Sequence, residues 1–150
     1  MKIVTHPAPI LREEAEPVNP RSGTDHLVVG ADLLIALDML PDALAVAAQQ
    51  IGSKLRMFAY RERDGEMNVL VNPTIVEVRG RRLGKERCLS FPGRIFQVVR
   101  PQAVVVHAKT IEGDDVRLCW HDLYARMAAH EIDHLDGLLV IDRLPGAKRG

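Results

Sequence analysis

The chain carries no excess of charge of either sign. Twenty Lys and Arg stand against twenty Asp and Glu in 150 residues. That balance gives no basic footprint for nucleic acid and no acidic tail. Apolar residues make up 47% of the chain, which excludes a disordered polymer. No repeat, low-complexity segment or linker interrupts it. Long hydrophobic runs are missing too. The most apolar early stretch, "LVVGADLLIALDML", is broken by Asp32 and Asp38 and is too short to span a bilayer. The start, "MKIVTHPAPILREE", has no apolar core of a secretory signal. The expectation is a soluble, cytoplasmic protein with no membrane partner, folded as one domain over residues 1–150. Only two cysteines occur, Cys88 and Cys119. In a reducing compartment they do not pair, so each needs its own explanation.

Pro7, Pro9, Pro17 and Pro20 punctuate an extended segment over residues 1–23. From Thr24, read as an N-cap, Leu27, Leu33, Leu34, Leu37 and Leu40 recur at helical spacing until Pro41. The small apolar run "ALAVAAQQIG" follows. Then come the strand-like runs "KLRMFAYR", "MNVLVNP", "TIVEVRG", "RIFQVVRP", "AVVVHAKT" and "VRLCW". The turn signals "RDGE" and "IEGDD" fall between two pairs of them. A second helix is predicted over Leu123–Asp136, with Asp122 as N-cap and Gly137 just past its end. "LLVIDRL" reads as a closing strand, and the cationic stretch "VRGRRLGKER" as a solvated hairpin tip. The pattern predicts an α+β fold: antiparallel strands packed around a central helix.

That helix contains "AAHEIDHLDG". At 100° per residue, His134 lies about 40° from His130 and Glu131 about 100° from it. One turn thus presents two imidazoles, and the glutamate reaches a metal-bound water rather than the metal. The plainer alternative is a hydrogen-bonded polar helix face. A catalytic metal takes three protein ligands and keeps a fourth position open. After His134 the chain has no histidine or glutamate, only Asp136 and Asp142, which tells against a zinc protease. Upstream, Cys88 in "KERCLSFPG" would complete a Cys/His/His set. A free cysteine is more commonly a small buried hydrophobe, and Cys119 inside "VRLCW" fits that description. His6, His26, His107 and His121 have no spacing that implies ligation.

"LAVAAQQIG", "ERCLSFPG" and "HEIDHLDGLLVIDRL" resemble the three motifs of the peptide deformylase family, in the family's order. "HPAPILREEAEPV" is similar to that family's N-terminus, so the resemblance covers about Thr5 to Leu144. It implies a hydrolase that removes the formyl group from the formylmethionine of nascent peptides and releases formate. The metal ligands would be Cys88, His130 and His134. The metal would be Fe²⁺, with Zn²⁺ or Ni²⁺ as substitutes. Glu131 would be the general base, and Gln50 with the backbone N–H of Leu89 would stabilise the developing oxyanion. The partner implied is an N-formylated peptide, with transient contact to the ribosome. Asp133 matches the family as well. Its expected role is to orient a ligand histidine or anchor an arginine, and Arg100 is the candidate.

Five positions depart from the family pattern. Ala43 and Ala45 replace glycines, Arg87 replaces the glycine before the cysteine, and Ala129 and Gln49 replace the usual glutamine and proline. The chain stops at "PGAKRG", which leaves no room for the C-terminal helix many bacterial members carry. Alternatives are therefore a hydrolase acting on another N-formyl or related amide, or a catalytically silent binding domain. On the second helix, Met127 suits the pocket that the family uses for methionine. Arg126 is expected to lay its stem along the wall and reach water with its guanidinium. Otherwise it makes the pocket acid-selective.

Overall fold

A computed structural model describes residues 1–147. The elements run α1 (Asp25–Asp38), β1 (Ala45–Ala47), β2 (Met57–Arg61), β3 (Met67–Arg79), β4 (Arg82–Glu86), β5 (Phe96–Arg100), β6 (Ala103–Lys109), β7 (Asp115–His121) and α2 (Asp122–Leu135). Short 3₁₀ turns occupy Pro9–Arg12, Ala48–Ile51 and Val140–Arg143. Five strands form one antiparallel sheet in the order β1-β2-β3-β6-β7, and β4 pairs with β5 in a second. The expected α+β architecture is present, with α2 at its centre.

The reason for α2's central place lies in its composition. Ala125, Ala128, Ile132 and Leu135 recur at helical spacing and are buried against Phe58, Leu70, Val104 and Val106 of the large sheet. Such a stripe leaves the opposite face, with Arg126, His130, Asp133 and His134, for the β4–β5 side. Buried alanines on the sheet side let the helix approach closely, and all but three residues of α2 are buried. The helix stops where expected. Gly137 has φ 75°, and a Cβ there would lie 2.6 Å from the Arg12 carbonyl oxygen, so only glycine fits.

Several expectations are corrected. The N-cap position of α2 is His121, one residue earlier than predicted. Asp122 is already helical, and its carboxylate accepts from Arg82 at 3.1 Å instead of capping. "MNVLVNP" and "TIVEVRG" form one strand, β3, whose register to β6 shifts after Val71. Asn72, at φ 50°, bends it, and its side chain closes on Val18 with bonds of 2.8 and 2.6 Å. "LLVIDRL" is not a strand. Asp142 accepts the Leu139 N–H at 2.8 Å and also pairs with Arg12, which curls Val140–Arg143 into a 3₁₀ turn. Leu139 and Val140 are buried in a cluster with Leu11, Cys88, Phe91, Phe96 and Val98. The cationic stretch is more than a hairpin tip, because β4 runs through it and carries Glu86 inward. Cys119 is exposed. Strand alternation turns Val116, Leu118 and Trp120 toward the core and Cys119 outward.

Candidate active site

Cys88, His130 and His134 each bring one donor atom into a buried cluster whose members all lie within 4.8 Å of one another. The two histidines come from consecutive turns of α2. Cys88 comes from the loop that follows β4, a turn closed by the Phe91 N–H bonding the Cys88 carbonyl at 2.9 Å. His134 Nε2 faces Cys88 Sγ at 3.3 Å. The ring of His130 is oriented from behind, where its Nδ1 meets Glu86 Oε1 at 2.8 Å, leaving Nε2 for the cluster. Buried donor atoms of sulfur and imidazole type suit a divalent transition metal. His134 Nδ1 has no hydrogen-bond partner. Among the described residues this is the one Cys/His/His donor group, so the chain holds a single divalent metal-binding site of that composition.

Charged groups surround the donors. Glu86, to which no sequence motif assigns a role, is the hub. It accepts Arg100 Nε at 2.8 Å and Arg100 Nη2 at 3.0 Å, Arg126 Nη1 at 2.7 Å, and His130. Burial alone would raise its carboxyl. Hydrogen bonds from His130 and Arg100, and the Arg100 charge, outweigh burial and hold it at about 2. Arg100, 3% exposed, continues to Asp133 with a bond of 2.6 Å. The expected contact between these two is therefore present. Arg143 adds two bonds to Asp133, at 2.9 and 2.7 Å. In the sequence Glu86 is marked only as the first residue of "ERCLSFPG", two before Cys88.

Titration follows the same geometry. Burial opposes charge on His130, but hydrogen bonds to Cys88 and Glu86 and the nearby Glu131 charge raise it to about 10. His134 goes the other way, pushed down by burial and then by the His130 and Arg100 charges. Burial raises Glu131 to about 7, helped by Glu86 and opposed by His130. Its Oε2 is buried without a partner, an unusual state for a native carboxylate.

A cavity of about 680 Å³ opens beside the cluster. Its walls include Leu44 and Ala45 at the head of β1, Gln50, Leu89, Met127 and Glu131. The Gln50 amide has a fixed orientation. Its Oε1 accepts the Ala47 N–H at 2.9 Å, and Nε2 points to Ser90 Oγ at 3.1 Å and Cys88 Sγ at 3.8 Å. Gln49 braces α2 from below by donating to the His134 carbonyl at 2.7 Å. Arg126 lines the cavity as expected, but its guanidinium does not reach out to water. Its guanidinium turns inward to Glu86, to the Val98 carbonyl at 2.9 Å and to the Arg82 carbonyl at 2.8 Å. There the Glu86 carboxylate and two backbone carbonyls replace water as its hydrogen-bond acceptors. Its side chain is only 15% exposed.

A Cys/His/His metal site with a buried carboxylate in an apolar cavity, carried on a helix inside an antiparallel sheet, defines a metal-dependent hydrolase. A sequence model of the family described as polypeptide deformylase matches residues 1–150. The peptide deformylase of Acidobacterium capsulatum is 35% identical over 98% of this chain and 88% of its own length. That of Caldanaerobacter subterraneus is 36% identical over 91% of this chain and 84% of its own. Among solved structures, Arabidopsis thaliana peptide deformylase 1B superposes with a TM-score of 0.89 at 31% identity, covering 97% of this chain and 82% of that one. The Thermus thermophilus peptide deformylase gives 0.86 at 36% identity, covering 95% and 84%. The chain belongs to the polypeptide deformylase family, as a metal-dependent amidohydrolase that removes N-formyl groups from nascent peptides.

Proposed function

We propose that the substrate is the formylmethionine terminus of nascent peptides and that Cys88, His130 and His134 hold one Fe²⁺, for which Zn²⁺ or Ni²⁺ can substitute. When bound, such an ion polarises a carbonyl and makes water nucleophilic at neutral pH. Glu131 takes a proton at its unpartnered oxygen and returns it to the departing amine. Gln50 Nε2, aimed by the Ala47 bond, and the Leu89 N–H donate to the formyl oxygen as it gains negative charge. Preorganised donors of this kind need no rearrangement at the moment of reaction. The peptide lies along β1, an edge strand of the large sheet, in the manner of an added strand. Met127 and Leu123 line the cavity that receives the methionine side chain.

The observation that carries this reading is Glu131, which lines the same cavity as Cys88 and His130 and whose Oε2 is buried without a partner. On this reading the protein works in the cytoplasm, where nascent peptides leave the ribosome. No helix of the described residues is long and apolar enough to cross a membrane. A second reading, another N-formyl or related amide substrate, draws on Ala43, Ala45 and Arg87, which all line the cavity. Each puts a side chain where the family has glycine. Formate release from formyl-Met-Ala and formyl-Glu-Ala, measured on anaerobic Fe²⁺ protein, separates the two. The first reading predicts a higher kcat/KM for the methionine peptide. A preference for the glutamate peptide would overturn that substrate assignment.

A further inference from the structure

The guanidinium of Arg126 connects the chain segments that carry the metal ligands. Arg126 lies on α2, one turn before His130. Through Nη1 it donates to Glu86 of β4 and to the Val98 carbonyl of β5, and through Nη2 to the Arg82 carbonyl of β4. Glu86 in turn holds His130 Nδ1, and Cys88 follows it by two residues. α2 and the β4–β5 pair belong to different parts of the fold, and the large sheet does not connect them. Their separation sets the distance between Cys88 on one side and His130 and His134 on the other.

Gly84 is the other half of this arrangement. A Cβ at Gly84 would lie 2.7 Å from Arg126 Nη2, 2.8 Å from Cζ and 3.0 Å from Nε. The guanidinium therefore lies directly over the bare backbone of β4. Its φ is not in the left-handed region, so close approach is what favours glycine here. A side chain at position 84 has to displace the guanidinium, the movable end of Arg126, from its present acceptors. Two positions 42 residues apart thus fit together as they stand.

We propose that Arg126, seated on Gly84, is a positioning residue for the metal centre. It fixes the plane of the Glu86 carboxylate behind His130 and the spacing of the β4 loop from α2. With Arg126, Glu86 accepts four N–H groups, two on each oxygen, which uses the full capacity of a carboxylate. Without it, one oxygen keeps a single donor, and the β4 and β5 carbonyls lose their tie to α2. Groups that orient a metal-ligating histidine commonly change metal affinity 10–100-fold when altered.

This inference rests on the Cys88, His130 and His134 metal site, and the test uses metal retention rather than turnover. The Co²⁺-loaded protein and its Arg126→Leu, Arg126→Lys and Gly84→Ala variants are compared by visible absorption and by metal release to a chelator in excess. Leu33→Val, in the α1 core away from the site, serves as a control for general destabilisation. The expected result is release roughly 10–100-fold faster, with a shifted Co²⁺ spectrum, for Arg126→Leu and Gly84→Ala. Arg126→Lys keeps the charge but not the fork, and falls between them and the wild type. Leu33→Val keeps the wild-type spectrum. Wild-type spectra and release rates in both Arg126→Leu and Gly84→Ala would overturn the inference. So would changes no larger than those of a control matched in melting temperature. A wild-type protein that takes up no Co²⁺ would instead overturn the metal site itself.

Discussion

His130 Nδ1 lies 2.8 Å from Glu86 Oε1, so the first histidine of the helix is held from behind by a carboxylate of β4. Such a contact selects the tautomer and ring angle of a metal ligand. Glu86→Gln keeps the shape but loses the charge that His130, Arg100 and Arg126 share. Metal affinity should fall about 10–100-fold, measured by competition with a chromophoric chelator. Unchanged affinity would show that the contact is not used by the metal centre.

Cys88→Ala, His130→Ala and His134→Ala should each lose bound metal, since a site with two of three ligands holds it poorly. Cys119→Ala should retain it, because Cys119 is exposed on β7 and stands outside the cluster. Elemental analysis of the four purified variants reads this directly. Stoichiometric metal in the Cys88 variant would falsify the ligand assignment.

Asp133 is the shared anchor of Arg100 and Arg143. Asp133→Ala leaves Arg100 buried with one carboxylate partner instead of two. Stranding a buried charge costs about 3–5 kcal/mol, but Glu86 still holds Arg100 through two bonds. Chemical denaturation should therefore give a loss below that range, with the same slope against denaturant. Arg143 is more exposed, so Arg143→Ala should cost clearly less.

Oxidation separates the candidate metals. Fe²⁺ is redox-active, and Cys88 becomes open to oxidation once the ion leaves. Zn²⁺ has no redox chemistry. Activity of the Fe²⁺ protein should decay in air while a matched Zn²⁺ preparation keeps its own. Equal decay of the two would count against iron as the working metal.

Much of this site was legible in local pattern. The spacing of His130, Glu131 and His134 needs only helical geometry, and Gly137 marks the helix end on its own. The six strand-like runs were visible because apolar and polar residues alternate or cluster there. What escaped was set by tertiary contact. β4 is charged along most of its length, so nothing in its composition marks it as a strand reaching the core. Nothing local marks Glu86 as buried, because Arg100, Arg126 and His130, which make its burial tolerable, lie 14, 40 and 44 residues away. Arg126 was misread for the same reason. Its acceptors are on other strands, and the space it occupies depends on Gly84. The 3₁₀ turn at Val140–Arg143 was missed because an apolar run of that length reads as strand, whereas Asp142 captures the N–H of Leu139.

The central claim is that Glu131 acts as the proton-transfer group of a metal-dependent deformylase. Its most direct test is formate release from formyl-Met-Ala by wild type and Glu131→Gln, each anaerobically loaded with Fe²⁺ and matched in metal content. The wild type should turn over, and Glu131→Gln should be about 10²–10⁴-fold slower at equal metal occupancy. Equal rates in the two proteins, or no formate from the fully loaded wild type, would contradict it.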